Sequence, residues 1–253
     1  MDDVVLKIDK LSFAYGKKEV LHECSCLFNP GIYVVLGRNG VGKTTLFRCI
    51  LKQTTIKENK IMLNNQDINK ISIPDYAKLV SYVPQLTSIS NTDISVRDYL
   101  VQGRTPYLKM FSAPDKNDYL LAAEYAKKLG VDGLMSNALN ELSGGQLQMV
   151  LIARVLLQET PIILMDEPLS FLDYPNQQKI MNVIKEMNKK TVVLTSHNPN
   201  HALYLNANIL LMKNGTFIAE GSSNDVLTKE ILSNAYECEI NVHDVGGTKI
   251  ITL

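Results

Sequence analysis

The apolar run Ile32-Tyr33-Val34-Val35-Leu36 breaks off into Gly37-Arg38-Asn39-Gly40-Val41-Gly42-Lys43-Thr44, and no other stretch restricts the fold of this chain so tightly. A continuous apolar run is what a strand buried on both faces requires. The residues from Lys43 to Leu51 read as a helix. Strand, glycine-rich turn and helix together match G-x-x-x-x-G-K-[ST] in the context that gives the pattern meaning. Its glycines let successive backbone N–H groups turn inward around an anion, and the helix start adds partial positive charge. Lys43 then places a full charge on β- and γ-phosphates, and the Thr44 hydroxyl can ligate Mg²⁺. Thr45 adds a phosphate hydrogen bond. Gly37, Arg38, Asn39, Gly40, Val41, Gly42, Lys43, Thr44 and Thr45 are thus the first candidate nucleotide-binding residues.

The remaining pattern surrounds that unit with an α/β plan. Residues 4–28 alternate in short runs about a turn at Gly16-Lys17-Lys18, as antiparallel strands do, and the Lys17-Lys18 pair reads as solvated. Ile61-Met62-Leu63 and Val80-Ser81-Tyr82-Val83 read as short strands, the latter ended by Pro84. From about Thr87 to Gln158 the period becomes helical, with helices expected at Val96–Gln102, Asp115–Leu129 and Gly144–Gln158. Ile162–Met165 and Thr191–Leu194 are further buried-strand runs, with a helix expected over Asn176–Lys189 between them. The tail from Ile209 reads as short strands with a turn at Asn214-Gly215. The pattern reads as a parallel α/β core, about residues 1–86 and 160–253, interrupted by a helical insertion. An inserted α-helical subdomain of about 87–159 completes a single domain, 1–253.

Composition removes several function classes. Lys plus Arg and Asp plus Glu number 26 each, so the basic excess of a nucleic-acid binder is missing. The opening Met-Asp-Asp-Val-Val lacks the features of a secretory signal. Stretches such as Pro161–Met165 and Ile209–Met212 are far shorter than the roughly 20 residues a bilayer crossing needs, so the chain is expected to be soluble alone. The spacing of Cys24, Cys26, Cys49 and Cys238 fits no zinc or redox template and reads as reduced cytosolic thiols.

A second motif adds the chemistry. Ile162–Met165 leads into Asp166-Glu167, where Asp166 is placed to hold Mg²⁺ and Glu167 to take a proton from attacking water. Adjacent acids on a strand point to opposite faces, so the pair alone also reads as a solvated acidic turn. Leu142-Ser143-Gly144-Gly145-Gln146, just before it, resembles the LSGGQ signature of the ABC (ATP-binding cassette) ATPases. The resemblance spans the chain and implies an α/β fold with a P-loop NTPase (RecA-like) core, an antiparallel β subdomain and an inserted α-helical subdomain. By that resemblance Tyr15 sits like the family's adenine-stacking aromatic and Gln85 like its Q-loop glutamine, a Mg²⁺ and water contact. Ser170-Phe171-Leu172-Asp173 looks like the D-loop, and His197 like the switch histidine at the γ-phosphate. No motif gathers His22, His201 or His243, which read as structural.

The signature has its own physics, since Ser143 and the glycines open a helix whose N–H groups and hydroxyl can face an anion. In the family, the signature of one subunit closes over ATP held by the other. The resemblance therefore implies an ATP-dependent head-to-tail pair of identical chains, with Ser143, Gly144, Gly145 and Gln146 acting on the partner's nucleotide. It implies hydrolysis of ATP with Mg²⁺, through Glu167, His197, Gln85 and Lys43. It also implies an integral membrane permease, indirectly a substrate-binding protein, and a peripheral place on the cytoplasmic side of the cell membrane. The chain departs from the pattern at Leu147-Gln148-Met149, Asn198-Pro199 and Phe171, none of them a phosphate or metal ligand. Non-transport ABC ATPases, such as those of iron–sulphur assembly, and a nucleotide-dependent scaffold are the competing readings.

Ser95-Val96-Arg97-Asp98-Tyr99-Leu100-Val101-Gln102-Gly103-Arg104-Thr105-Pro106-Tyr107 looks like the stretch of the subgroup that imports iron–siderophore, haem or cobalamin complexes. Gly103 is expected to end a helix and Pro106 to prevent its resumption. A loop with Phe111 and Pro114 follows, and the surface from Gln85 to about Pro114 is expected to receive a short helix of the permease. Gly-Arg-x-Pro as a plain helix cap, and an exporter or metal-ion importer, are the alternatives.

Overall fold

The structure is a computed structural model and describes residues 4–86, 93–109, 112–246 and 248–252. Met1–Asp3, the expected subdomain boundary at about 87 and Phe111 lie outside the described residues. The chain divides into two compact units, Met1–Ile71 with Ile184–Leu253, and Ser72–Val183.

The first unit opens with β1 (Leu6–Tyr15), β2 (Lys18–Phe28), β3 (Gly31–Leu36), α1 (Lys43–Ile50), β4 (Ile61–Leu63) and β5 (Gln66–Asp67). The second contains α2 (Ile73–Ala77), β6 (Val80–Val83), α3 (Val96–Val101), α4 (Lys116–Leu129), α5 (Gly144–Leu157) and β7 (Ile162–Met165). Helix α6 (Tyr174–Lys185) returns the chain to the first unit. There β8 (Thr191–Ser196), α7 (Pro199–Leu205), β9 (Asn208–Lys213), β10 (Thr216–Ser222), α8 (Ser223–Val226), α9 (Lys229–Tyr236), β11 (Asn241–Val245) and β12 (Thr248–Thr252) complete it.

The expected hairpin forms. β1 and β2 pair antiparallel about the Gly16-Lys17 turn, and β4 adds to β1. β3 lies parallel between β8 and β9, which pair with it in register from Gly31↔Thr191 to Leu36↔Ser196 and from Tyr33↔Asn208 to Leu36↔Leu211. Its residues from Ile32 to Leu36 are all buried, as a continuous apolar run flanked on both edges requires. β10 closes the sheet edge antiparallel to β9. Cys24, Cys26 and Cys49 are buried and Cys238 is exposed. Burial pushes the Cys24 thiol up to about 11 and raises Cys26 and Cys49 as well.

In the second unit β6 and β7 pair parallel, from Val80↔Ile162 to Val83↔Met165. Three helix positions differ from expectation. α6 starts at Tyr174 rather than Asn176, because Asp173 caps it through Asn176 N (3.0 Å), and it ends at Lys185 rather than Lys189. The tail contains α8 and α9 besides strands. Gly103 is no left-handed cap: α3 runs on as a 3₁₀ turn over Gln102–Tyr107 with Pro106 inside it. The glycine is needed because a Cβ there would lie 2.6 Å from Arg154 O in α5. Arg104 pairs with Asp118 (3.1 Å) and Glu159 (3.1 Å), donates to Leu157 O and covers the Tyr107 ring, whose hydroxyl donates to Gln158 O (2.7 Å). The Gly-Arg-x-Pro-aromatic stretch thus ties α3, α4 and the end of α5 together.

Candidate functional site

In the first unit the register decides what meets. Leu36 is paired with Ser196, so Gly37 and His197 leave adjacent parallel strands side by side, at the carboxyl ends where α/β sheets bind ligands. Gly37 has φ 149 and an added Cβ would fall 2.4 Å from Met212 O, while Gly42, at φ 114, caps α1 with Leu21 at 3.0 Å from its would-be Cβ. Only glycine lets the backbone come this close, which is what a loop curling its N–H groups around phosphate needs. Lys43 is 6% exposed, and its ammonium donates to Gly37 O (2.6 Å) and Arg38 O (3.1 Å). Thr45 is buried and Thr44 half-buried at the start of α1.

Tyr15, at the end of β1, is 43% exposed, meets Phe13 edge-on at 4.9 Å and receives Arg48 Nη1 on its hydroxyl (3.2 Å). The exposed part of the ring can meet a flat apolar partner. A cavity of about 580 Å³, within the usual size of small-molecule sites, is lined by Tyr15, Arg38, Asn39, Gly40 and Thr45 among others. His197 is exposed, and its carbonyl accepts from Tyr236 Oη (3.0 Å). Ser196 Oγ lies 3.0 Å from His201 Nδ1. Burial, reinforced by His197, lowers the His201 imidazole to about 4, so it is neutral at pH 7. His201 thus has a place beside the site that no motif announced.

In the second unit β6 and β7 end together, Asp166 N donating to Val83 O (2.9 Å), so Gln85 and Asp166-Glu167 share one end of the strand pair. The alternation that would send the two acids to opposite faces stops with β7 at Met165. Glu167 instead takes φ 50, a left-handed backbone uncommon outside glycine and typical of functional sites. Asp166 is 1% and Glu167 8% exposed. Ser170 N donates to Glu167 O (3.1 Å), and Ser170 Oγ approaches Glu167 Oε2 (3.4 Å). Gln85 is exposed. Within this unit Asp166 and Gln85 offer oxygen donors, the chemistry a hard cation such as Mg²⁺ takes.

Ser143 caps α5 in a reciprocal box: Gln146 N donates to Ser143 Oγ (3.3 Å) and Ser143 N to Gln146 Oε1 (2.9 Å). Gly144 and Gly145 open α5, where helix N–H groups lack intrahelical partners and can face an anion. A Cβ on Gly145 would come within 3.2 Å of Phe171 O, and Phe171, at φ 65, is 63% exposed. The departures Leu147, Gln148 and Met149 are all buried. Gln148 Nε2 donates to Pro168 O (3.1 Å), tying α5 to the residue after Glu167. Sequence reasoning gave Gln148 no role and missed Tyr236 and Glu237. Only Asn198-Pro199 carried a signal, a cap followed by a first-turn proline, for α7.

Against known proteins, the model of the ABC transporter family matches residues 21–170. An iron chelatin transport ATP-binding protein of Helicobacter pylori (strain ATCC 700392 / 26695) is 34% identical over 248 residues, 95% of this chain and 97% of that protein. The ferric enterobactin transport ATP-binding protein of Escherichia coli (strain K12) is 27% identical over 97% of this chain and 93% of its own. The solved structure of a metal-chelate type ABC transporter in an inward-facing conformation superimposes with a TM-score of 0.82 at 28% identity, covering 100% of this chain and 96% of that one.

Proposed function

The chain belongs to the ABC transporter family, as an ATP-binding and ATP-hydrolysing subunit, and from that premise we propose that it energises import of an iron chelate, a siderophore, haem or cobalamin complex. The observation that carries the reading is similarity along nearly the whole length to ATP-binding proteins named for iron chelatin and ferric enterobactin transport.

In the proposed mechanism adenine stacks on Tyr15, and the N–H groups of Gly37 to Thr45 with the Lys43 ammonium offset phosphate charge. Asp166, Thr44 and Gln85 would hold Mg²⁺, which supplies charge neutralisation at the phosphate oxygens when bound. Glu167 takes the proton of the attacking water as general base, while Gln85 and His197 orient water and γ-phosphate. Ser143, Gly144, Gly145 and Gln146 contact the nucleotide held by a second copy in a head-to-tail, ATP-dependent dimer. Positioning and electrostatics then account for most of the rate.

Among the described residues no helix is long and apolar enough to cross a membrane. A separate permease binds at the surface from Gln85 to about Pro114, with a substrate-binding protein upstream. The chain sits on the cytoplasmic side of the membrane. Residues 1–253 act as one ATPase domain, with the helical part at about 87–159. Co-purification with the product of an adjacent membrane gene, followed by radiolabelled uptake in a deletion strain, tests the reading. Loss of ferric-chelate or cobalamin uptake supports it. Normal uptake of all of these, with a defect in export or iron–sulphur assembly, overturns it.

A further inference from the structure

Glu237 follows the last residue of α9 with φ 56 and ψ 36, the left-handed conformation that ends many helices and that glycine adopts most cheaply. A glutamate there pays for its Cβ, and its carboxylate is where the compensation lies. One carboxylate oxygen is hydrogen-bonded by Arg38 Nη1, and the other lies 3.6 Å from Lys213 Nζ. Lys213 in turn donates to Asn234 O (2.8 Å) and Asn234 Oδ1 (3.0 Å), which fixes the end of α9 against β9. Arg38 is the first residue after Gly37 in the phosphate loop, and Glu237 lines the same cavity as Arg38, Asn39 and Gly40. A fixed anion thus stands at the wall of a cavity whose loop is built to receive phosphate, paired with that loop's own guanidinium.

We propose that Glu237 is an affinity-setting residue for nucleotide: its carboxylate holds Arg38, and a polyphosphate must take Arg38 from it to bind. The inference rests on the reading of Gly37–Thr45 as the phosphate-binding loop. Two electrostatic terms act in the same direction. Phosphate must displace the carboxylate from Arg38, and the carboxylate that stays behind repels the incoming charge. Both side chains are about half exposed, so solvent and salt screen the effect and it is modest. Its magnitude grows with the number of phosphates, and the displacement part of it acts through Arg38.

The test is equilibrium titration of AMP, ADP and ATP against the full chain and the variants Glu237→Gln, Glu237→Gly, Arg38→Ala and the double variant Arg38→Ala with Glu237→Gln. Glu237→Gln is expected to tighten ATP by roughly fivefold at low salt, ADP by less, and AMP least, the gain shrinking as salt rises. In the Arg38→Ala background the same change should give a smaller gain. Glu237→Gly, which also removes the backbone strain, should match or exceed Glu237→Gln for ATP without lowering the melting temperature. Weaker ATP binding in Glu237→Gln, no change, or an equal change for all three nucleotides would overturn the proposal. Lys43→Ala run alongside separates the two readings. If it leaves ATP affinity intact, the phosphate-loop assignment has failed. If it abolishes affinity while Glu237→Gln does not tighten binding, this inference alone has failed.

Discussion

Single charges carry the chemistry at the residue scale, and they are the most direct to remove. Lys43→Ala takes away the buried ammonium that Gly37 O and Arg38 O hold in place. ATP affinity should fall roughly tenfold or more, the worth of a charge-assisted contact, with turnover lost; an unchanged equilibrium titration would contradict it. Glu167→Gln keeps shape and removes the proposed base, so steady-state hydrolysis should fall about 100-fold or more while binding persists. A third residue gives a pH signature. His201 has its folded-state pKa lowered to about 4 from 6.5 by burial. Between those values the unfolded chain binds the extra proton, so stability from this group is full above about 6.5 and drains away as pH falls towards 4. Melting temperatures of wild type and His201→Gln should therefore converge on acidification through this window. Parallel curves would show that the imidazole does not contribute.

Elements were legible in proportion to how strongly burial shapes their sequence. β3, β7 and β8 are buried at nearly every residue, so each reads as an unbroken apolar run, and the phosphate loop inherits its place from β3. α7, α8 and α9 are short and partly exposed, and their caps, Asn198, Ser222 and Thr228, are polar residues that loops also use. That is why the tail read as strands, and why Tyr236 and Glu237 went unnoticed. The two acids were legible by position but not by geometry, because nothing in the sequence tells that Glu167 would turn left-handed. Gly103 stands just past the end of α3, as expected, but for a reason the sequence did not carry: close approach to Arg154 O is a tertiary fact that a helix-ending glycine imitates. Gly103→Ala should consequently destabilise the unit by about 1–3 kcal/mol through overpacking, seen as a lower denaturant midpoint. A variant as stable as wild type would restore the cap reading.

For the whole molecule, the proposed head-to-tail dimer would divide labour between copies. Ser143→Arg or Gly144→Asp fills the N–H end of α5, so hydrolysis should stop while each chain still binds ATP at its own loop. Loss of binding by the isolated chain would mean that the signature acts on its own nucleotide. Light scattering on Glu167→Gln should find dimers with ATP and monomers without it. The distribution of sulphur makes such experiments simpler to follow. Three of the chain's four thiols are enclosed and held protonated, whereas Cys238 is exposed and directly follows Glu237. Without any cysteine having to be engineered away, a maleimide fluorophore should attach at that one position, next to the helix end that grips Arg38. Its emission then becomes an optical reading of nucleotide arrival.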